Sequence, residues 1–366
     1  MMDRAKRLWA WLAEERDVGS RIVAFDVLRF VAFVFVVVQH TFAYLVPKFG
    51  LQSWMCGTRL GRLGVSFFIV LSGASLALGA LNRKGYFAFV RRRLASILPF
   101  YWVAYCAVAV ALFLLYGRCP MQDDPARIAY TLFGLDGYLG TQVRTYYLIG
   151  EWFTGFILLM YLLAPGVYRL VRWSRGAVLL ALALICGVSL AFTPEISAHC
   201  VLWNKSPHYN VLSRLMEFAA GMAFTIYALR RPRFHAALAV LAACYLGGRG
   251  LLGYDLLEFS VGGFVSQMSI FLLASALLRL VPWAQTQQTV IGFLSKYSFM
   301  AFLFHHQVLW LMKEKMTLQC TPMFTVYMVL AACVASYLLA YLFYGPAAAV
   351  QKAVFGPYGT KEATAK

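Results

Sequence analysis

Charge is scarce in this chain. Only 13% of its 366 residues are Asp, Glu, Lys or Arg, and 15 acidic side chains stand against 33 basic ones. A soluble domain of this length needs a polar shell that such a composition cannot supply. Fixed-period repeats and low-complexity tracts are also missing, which sets repeat architectures aside. No connection between apolar stretches reaches about thirty residues, so a separate soluble domain has no room; the longest runs from Gly117 to Thr145.

What fills the chain instead is apolar: 61% of residues are hydrophobic and 16% aromatic. The expected fold class is all-α, a polytopic membrane helix bundle. Ten stretches have adequate length for a hydrocarbon core of roughly 30 Å. They run at about 22–46, 60–81, 97–116, 146–164, 176–192, 209–229, 234–251, 259–280, 289–312 and 323–344. Residues 1–21 form an expected amphipathic cytoplasmic segment, 22–344 the transmembrane domain and 345–366 a cytoplasmic tail. Any functional site must then be built from helices and their loops.

A net charge of +18 invites a nucleic-acid partner, but its distribution argues against one. With the N-terminus inside, predicted cytoplasmic segments hold 21 Lys and Arg and exterior loops hold 10. This excess is the positive-inside signal of ten helices with both termini in the cytoplasm, and of contact with anionic lipid. The N-terminal segment carries Leu8, Trp9, Trp11 and Leu12 among charged residues and lacks a secretory cleavage pattern. It is expected to lie on the inner membrane surface, with the first span as an uncleaved insertion signal.

No cysteine falls in a predicted cytoplasmic loop. Cys106, Cys186, Cys244 and Cys333 lie within spans, whereas Cys56, Cys119, Cys200 and Cys320 lie in exterior loops. The exterior four either pair as one or two disulfides in an oxidising compartment or stay unpaired. Cys200 with His199 and His208 looks like a fragment of a metal site but lacks paired-ligand spacing, so no metal is expected.

The first span carries costly residues. Arg29 and His40 are eleven positions apart, close to three whole helical turns, so they share a face with roughly 16 Å between them along the axis. Asp26 precedes Arg29 by three, a spacing suited to an ion pair. Ionisable groups in hydrocarbon mark a site or pathway. Histidine suits a general base or an acyl-carrying nucleophile, and arginine a phosphate or carboxylate clamp. The alternative is structural: His40 satisfied by Gln39 or water, and Arg29 paired with Asp26 as buried glue.

Further motifs follow in order. Gly64-Val-Ser-Phe-Phe-Ile-Val-Leu-Ser-Gly73 supplies small surfaces for close helix approach. Arg91, Arg92 and Arg93 sit at the inner mouth of the third span, before Ile97-Leu-Pro99. They suit a polyphosphate, and positive-inside charge accounts for them equally.

Together these residues resemble the acyltransferase-3 family of integral membrane O-acyltransferases, which modify bacterial surface glycans. The likeness begins at Phe25-Asp-Val-Leu-Arg29 and the Arg-x10-His element Arg29 and His40, then runs through the Gly64–Gly73 motif and the basic segment. It continues in Tyr147-Leu-Ile-Gly-Glu-Trp-Phe153, in Arg214-Leu-Met-Glu-Phe-Ala-Ala-Gly221 and in Ser298-Phe-Met-Ala-Phe-Leu-Phe-His305. It covers about residues 22–344. The chain departs from the family at Ser96, where a second arginine is common, at Phe299 and Phe302, where tyrosines are common, and in the doubled His305-His306.

The resemblance implies transfer of an acyl group, most often acetyl, from cytoplasmic acyl-CoA to a sugar hydroxyl outside a bacterial inner membrane. His40 would act as general base, or in a variant carry the acyl group; Arg29 would orient the donor; Arg91, Arg92 and Arg93 would hold its phosphates. Glu151 would hold the imidazole tautomer or bind the sugar, and Asp26 would hold Arg29. Arg214 with Glu217 reads as a structural pair rather than a catalytic one, and His305 with His306 as packing or hydrogen bonding inside the bundle, ahead of a catalytic role. A transporter or flippase for a lipid-linked glycan is the alternative, and a membrane scaffold a third reading.

Overall fold

The computed structural model describes residues 10–17, 21–49, 57–79, 85–117, 124–140, 142–146, 148–149, 152–200, 206, 208–315 and 322–356. Among the described residues there is no β-strand. The chain is an all-helical membrane bundle. Its long elements are α1 (Val23–Phe49), α2 (Gly57–Gly79), α3 (Tyr86–Tyr116), α4 (Phe153–Trp173), α5 (Val178–Ala191) and α6 (Thr193–His199). They continue as α7 (Leu215–Ala223, running into π-helical Phe224–Ala228), α8 (Pro232–Leu251), α9 (Val261–Leu280), α10 (Gln285–Lys315) and α11 (Pro322–Phe355).

Each of the ten expected stretches meets one of these helices, but they are not ten equal spans. Among the described residues, α1, α2, α3, α4, α8, α9 and α11, seven in all, are long and apolar enough to cross a membrane. An eighth is the pair α5 and α6, bent by 77°. The helix that starts at Leu215 is shorter. α10 has the length, but Lys296, His305, His306 and Gln307 dilute its apolar character. The fourth span begins later than expected, at Phe153 rather than near 146, and residues 142–146 and 148–149 are not helical.

α3 starts eleven residues before the expected position, with Pro99 inside it. A proline removes its own N–H and strands the carbonyl four residues back. Here that carbonyl belongs to Ala95 and accepts from Nε2 of Gln351 on α11 at 2.8 Å. The repair lets the helix continue and puts Arg91, Arg92 and Arg93 in its first two turns.

α1, α2, α7 and α10 form the centre. Gly73 and Gly221 are reciprocal contact points of α2 and α7: a Cβ at Gly73 would strike the Phe218 carbonyl, and one at Gly221 the Val70 carbonyl. Small residues let these backbones touch, as the Gly-rich motif implies. Gly64 plays the same part against Ala32 of α1. Phe33, Phe67, Phe156, Phe218 and Phe264 fill the interior.

Between α3 and α4 the connection folds back on the bundle through short helices Pro125–Arg127, Ile128–Leu132 and Asp136–Leu139. Asp136 is buried and accepts from Tyr101 Oη at 3.0 Å and Thr131 Oγ1 at 3.1 Å. Burial pushes its carboxyl up, and those two bonds oppose the shift. On the other side, the N-terminal residues 10–17 dock on the basic turn before α8. Glu15 pairs with Arg231 at 2.7 Å, Glu14 pairs with Arg233, and Trp11 lies under the Arg233 guanidinium.

Candidate active site

Two cavities lie along α1, one at Arg29 and one at His40. The first, about 230 Å³, is lined by Arg29, Ser72, Ser96, Tyr161 and Ser298, and it ends against Phe68, Phe153 and Phe302. Phe68 sits 5.9 Å from Phe153 and 5.6 Å from Phe302, and Phe153 sits 5.7 Å from Phe302, measured between ring centroids. The second cavity, about 220 Å³, is lined by Gln39, His40, Arg62, Trp152, His208, Tyr209 and Arg214.

Arg29 and His40 therefore open into different cavities, as their separation along α1 requires. Arg29 is fixed by Asp26 at 3.1 Å and Ser75 Oγ at 2.6 Å. Asp26, 8% exposed, also accepts from Arg21 Nε at 2.8 Å and Ser295 Oγ at 2.6 Å. The expected i, i+3 ion pair is present, and it ties α1 to α2 and α10. A guanidinium held on two sides is pre-organised and keeps donors for a further anion.

The basic segment is near the first cavity without lining it. Arg93 lies over Phe89 and Tyr161, at 5.6 and 5.8 Å from their centroids, and Tyr161 is a lining residue. Its buried Nε has no hydrogen-bond partner among the described residues. Arg91 is exposed and donates to the Phe355 carbonyl at 3.0 Å. Ser96, at the position where an arginine is common in the family it resembles, lines the cavity itself.

His40 faces α10. Its ring centroid is 4.1 Å from that of His306 and 5.2 Å from that of His305, and the latter two are 4.4 Å apart. His305 Nδ1 meets the Phe302 carbonyl at 2.6 Å, and His306 Nδ1 meets Tyr44 Oη at 3.1 Å. Both histidines are buried. From the sequence, packing or hydrogen bonding is the expected role ahead of a catalytic one, and the contact with His40 is not foreseen. The signal was available: two polar residues in an apolar helix carry the same cost that singles out Arg29.

The second cavity mixes aromatic faces with polar groups. Trp152 stacks on Tyr209 at 4.2 Å between centroids. Arg62 lies 3.9 Å over Phe259 and donates to the Leu257 carbonyl at 3.0 Å. His208 lies outside the spans and stacks on Phe259, and its Nδ1 has no hydrogen-bond partner among the described residues. Burial first, then the Arg62 and Arg214 guanidinium groups, push this imidazole down to about 4. Arg214 is 1% exposed and is neutralised by Glu217 at 2.6 and 3.2 Å, with Ser66 Oγ at 2.7 Å. That arrangement is the structural pair the spacing suggests.

Glu151, Cys56, Cys119 and Cys320 lie outside the described residues. Cys200 and His199 end α6 exposed to solvent, while His208 turns into the cavity, so these three make no ligand set. No curated protein and no solved structure matches the chain. The acyltransferase-3 profile, described as an acyltransferase domain, matches residues 22–345. With a match over most of its length, on a bundle that sets an arginine and a histidine in separate cavities, this chain belongs to the acyltransferase-3 family and is a multi-pass membrane acyltransferase.

Proposed function

We propose that the protein transfers an acyl group, acetyl in the first instance, from cytoplasmic acyl-CoA to a hydroxyl of a sugar or glycan on the outer side of a bacterial inner membrane. In this reading both termini are cytoplasmic, so the Arg29 cavity is the inner chamber and the His40 cavity the outer one. The observation that carries it is the pair of cavities along α1, one lined by Arg29 with Phe68, Phe153 and Phe302, the other lined by His40 with Trp152 and Tyr209. A donor needs an anion clamp and a narrow apolar path for its arm; an acceptor needs a base and a surface for a sugar. Each demand has a match.

On the donor side, Arg29 clamps an anionic group while Arg91, Arg92 and Arg93 at the inner end of α3 take the phosphates. On the acceptor side, Trp152 and Tyr209 offer flat faces, and Gln39, Arg62 and His208 offer hydrogen bonds. His40 removes the proton of the attacking hydroxyl. The oxygen attacks the thioester carbonyl, the C–S bond breaks, and the proton passes from His40 to the departing CoA sulfur. Atoms and charge then balance with no further reactant. Tyr44, through His306, fixes the face of the triad that His40 meets.

Mass analysis of surface glycan from cells with and without the gene tests this function. Loss of an acyl-sized mass increment with the gene supports it. Identical glycans in both strains overturn it.

A further inference from the structure

We propose that His40, His305 and His306 form a site for one divalent cation of the zinc class. The site itself rests on no acyl-transfer assignment, whereas its effect on transfer rests on the proposed function. The nitrogens these residues offer all lie within 4.8 Å of one another, and among the described residues the group is made of imidazoles alone. Three histidines and an open fourth position are a zinc donor set, with Zn–N of about 2.0–2.1 Å. Closing the nitrogens onto an ion needs a contraction that ring rotations can supply.

A second observation points the same way. Histidines that ligate a metal orient the ring through the other nitrogen, on a carbonyl or a hydroxyl. His305 Nδ1 engages the Phe302 carbonyl at 2.6 Å, and His306 Nδ1 engages Tyr44 Oη at 3.1 Å. A carbonyl only accepts, so the proton on His305 is at Nδ1 and Nε2 is its ligating atom. An all-nitrogen set selects zinc, cobalt, nickel or copper over calcium and magnesium. His40 also lines the outer cavity, which gives the ion an entry route and its fourth position a place for water or a small anion.

Such an ion and a proton compete for the same His40 lone pair. Where His40 serves as base, the bound cation is therefore an inhibitor, and exterior zinc holds transfer off until it is removed.

The test uses the untagged full-length chain in detergent, stripped with a chelator and titrated with Co²⁺. The expected result is one ion per chain with the visible absorption of four-coordinate cobalt. Tyr44→Phe should bind about tenfold more weakly, the usual loss when an orienting partner is removed. His306→Ala should lose the signal, and His199→Ala, at an exposed position, should keep it. Matching elution profiles and thermal transitions show that the variants fold. No stoichiometric binding by the wild type, or equal binding by Tyr44→Phe and His306→Ala, overturns the site. In a transfer assay Zn²⁺ should suppress activity and a chelator restore it; stimulation by Zn²⁺ overturns the inhibitory role. Because binding is read without an acyl donor, failure of the site and failure of the transfer reading are separate results.

Discussion

His40 on α1 and His306 on α10 face each other with ring centroids 4.1 Å apart, although 266 positions separate them in the chain. The contact joins the first motif of the family to its last and gives the doubled histidine a reason to exist. Replacing His306 by Gln should leave the fold intact and reduce kcat more than it raises KM for the donor. Steady-state kinetics with the two substrates varied separately will show the split.

The Phe68, Phe153 and Phe302 rings line the Arg29 cavity, and Phe153 packs at 5.8 Å on Trp152 of the His40 cavity, so on the proposed function the acyl group passes them. Phe153→Ala should widen the passage and raise the ratio of butyryl to acetyl transfer several-fold. The measurement is competition between the two donors on one acceptor. An unchanged ratio means that chain length is selected elsewhere.

Asp26 accepts from Arg21, Arg29 and Ser295 at once, and its Asn variant weakens two ion pairs while leaving the shape unchanged. The expected cost is about 1–3 kcal/mol, since hydrogen bonds to a largely buried charge are lost. A lowered Tm with a raised KM for the donor is the signature, because Arg29 is then less firmly held.

Gly221→Ala adds a methyl where the Val70 carbonyl of α2 already stands. The helices must separate, and overpacking of this kind costs about 1–3 kcal/mol. Gly166, which has open space around it, is the control position, and its Ala variant should match the wild type in thermal unfolding.

His208 supplies a pH dependence. Its folded value is about 4, against about 6.5 for the ordinary imidazole. The unfolded chain therefore binds the proton more readily, and stability falls as pH drops from about 6.5 towards 4, with no contribution from this group above that window. His208→Gln should show a shallower decline of Tm over the same range. Equal slopes would remove His208 as the cause.

Much of this was legible from residue types and spacing. The ten apolar stretches, the Asp26–Arg29 pair and the Arg214–Glu217 pair follow from hydropathy and helical period, which are local properties. The start of α3 was not, because Pro99 is tolerated only through Gln351, more than 250 positions away. The cost of two histidines in an apolar helix is legible, but their contact with His40 and the Trp152–Tyr209 stack are not, because tertiary packing decides which helix each side chain meets. α4 begins at Phe153, and Trp152 just before it lines the His40 cavity.

The central claim is that His40 activates an acceptor hydroxyl against a CoA thioester. Release of free CoA from acetyl-CoA by membranes holding the protein tests it most directly, measured with and without a glycan acceptor. The account predicts release that requires the acceptor and falls by about 10²–10⁴-fold in His40→Ala, the range that general-base catalysis contributes. Equal release by His40→Ala, or no release with any glycan while a labelled lipid-linked sugar still crosses the bilayer, would contradict it.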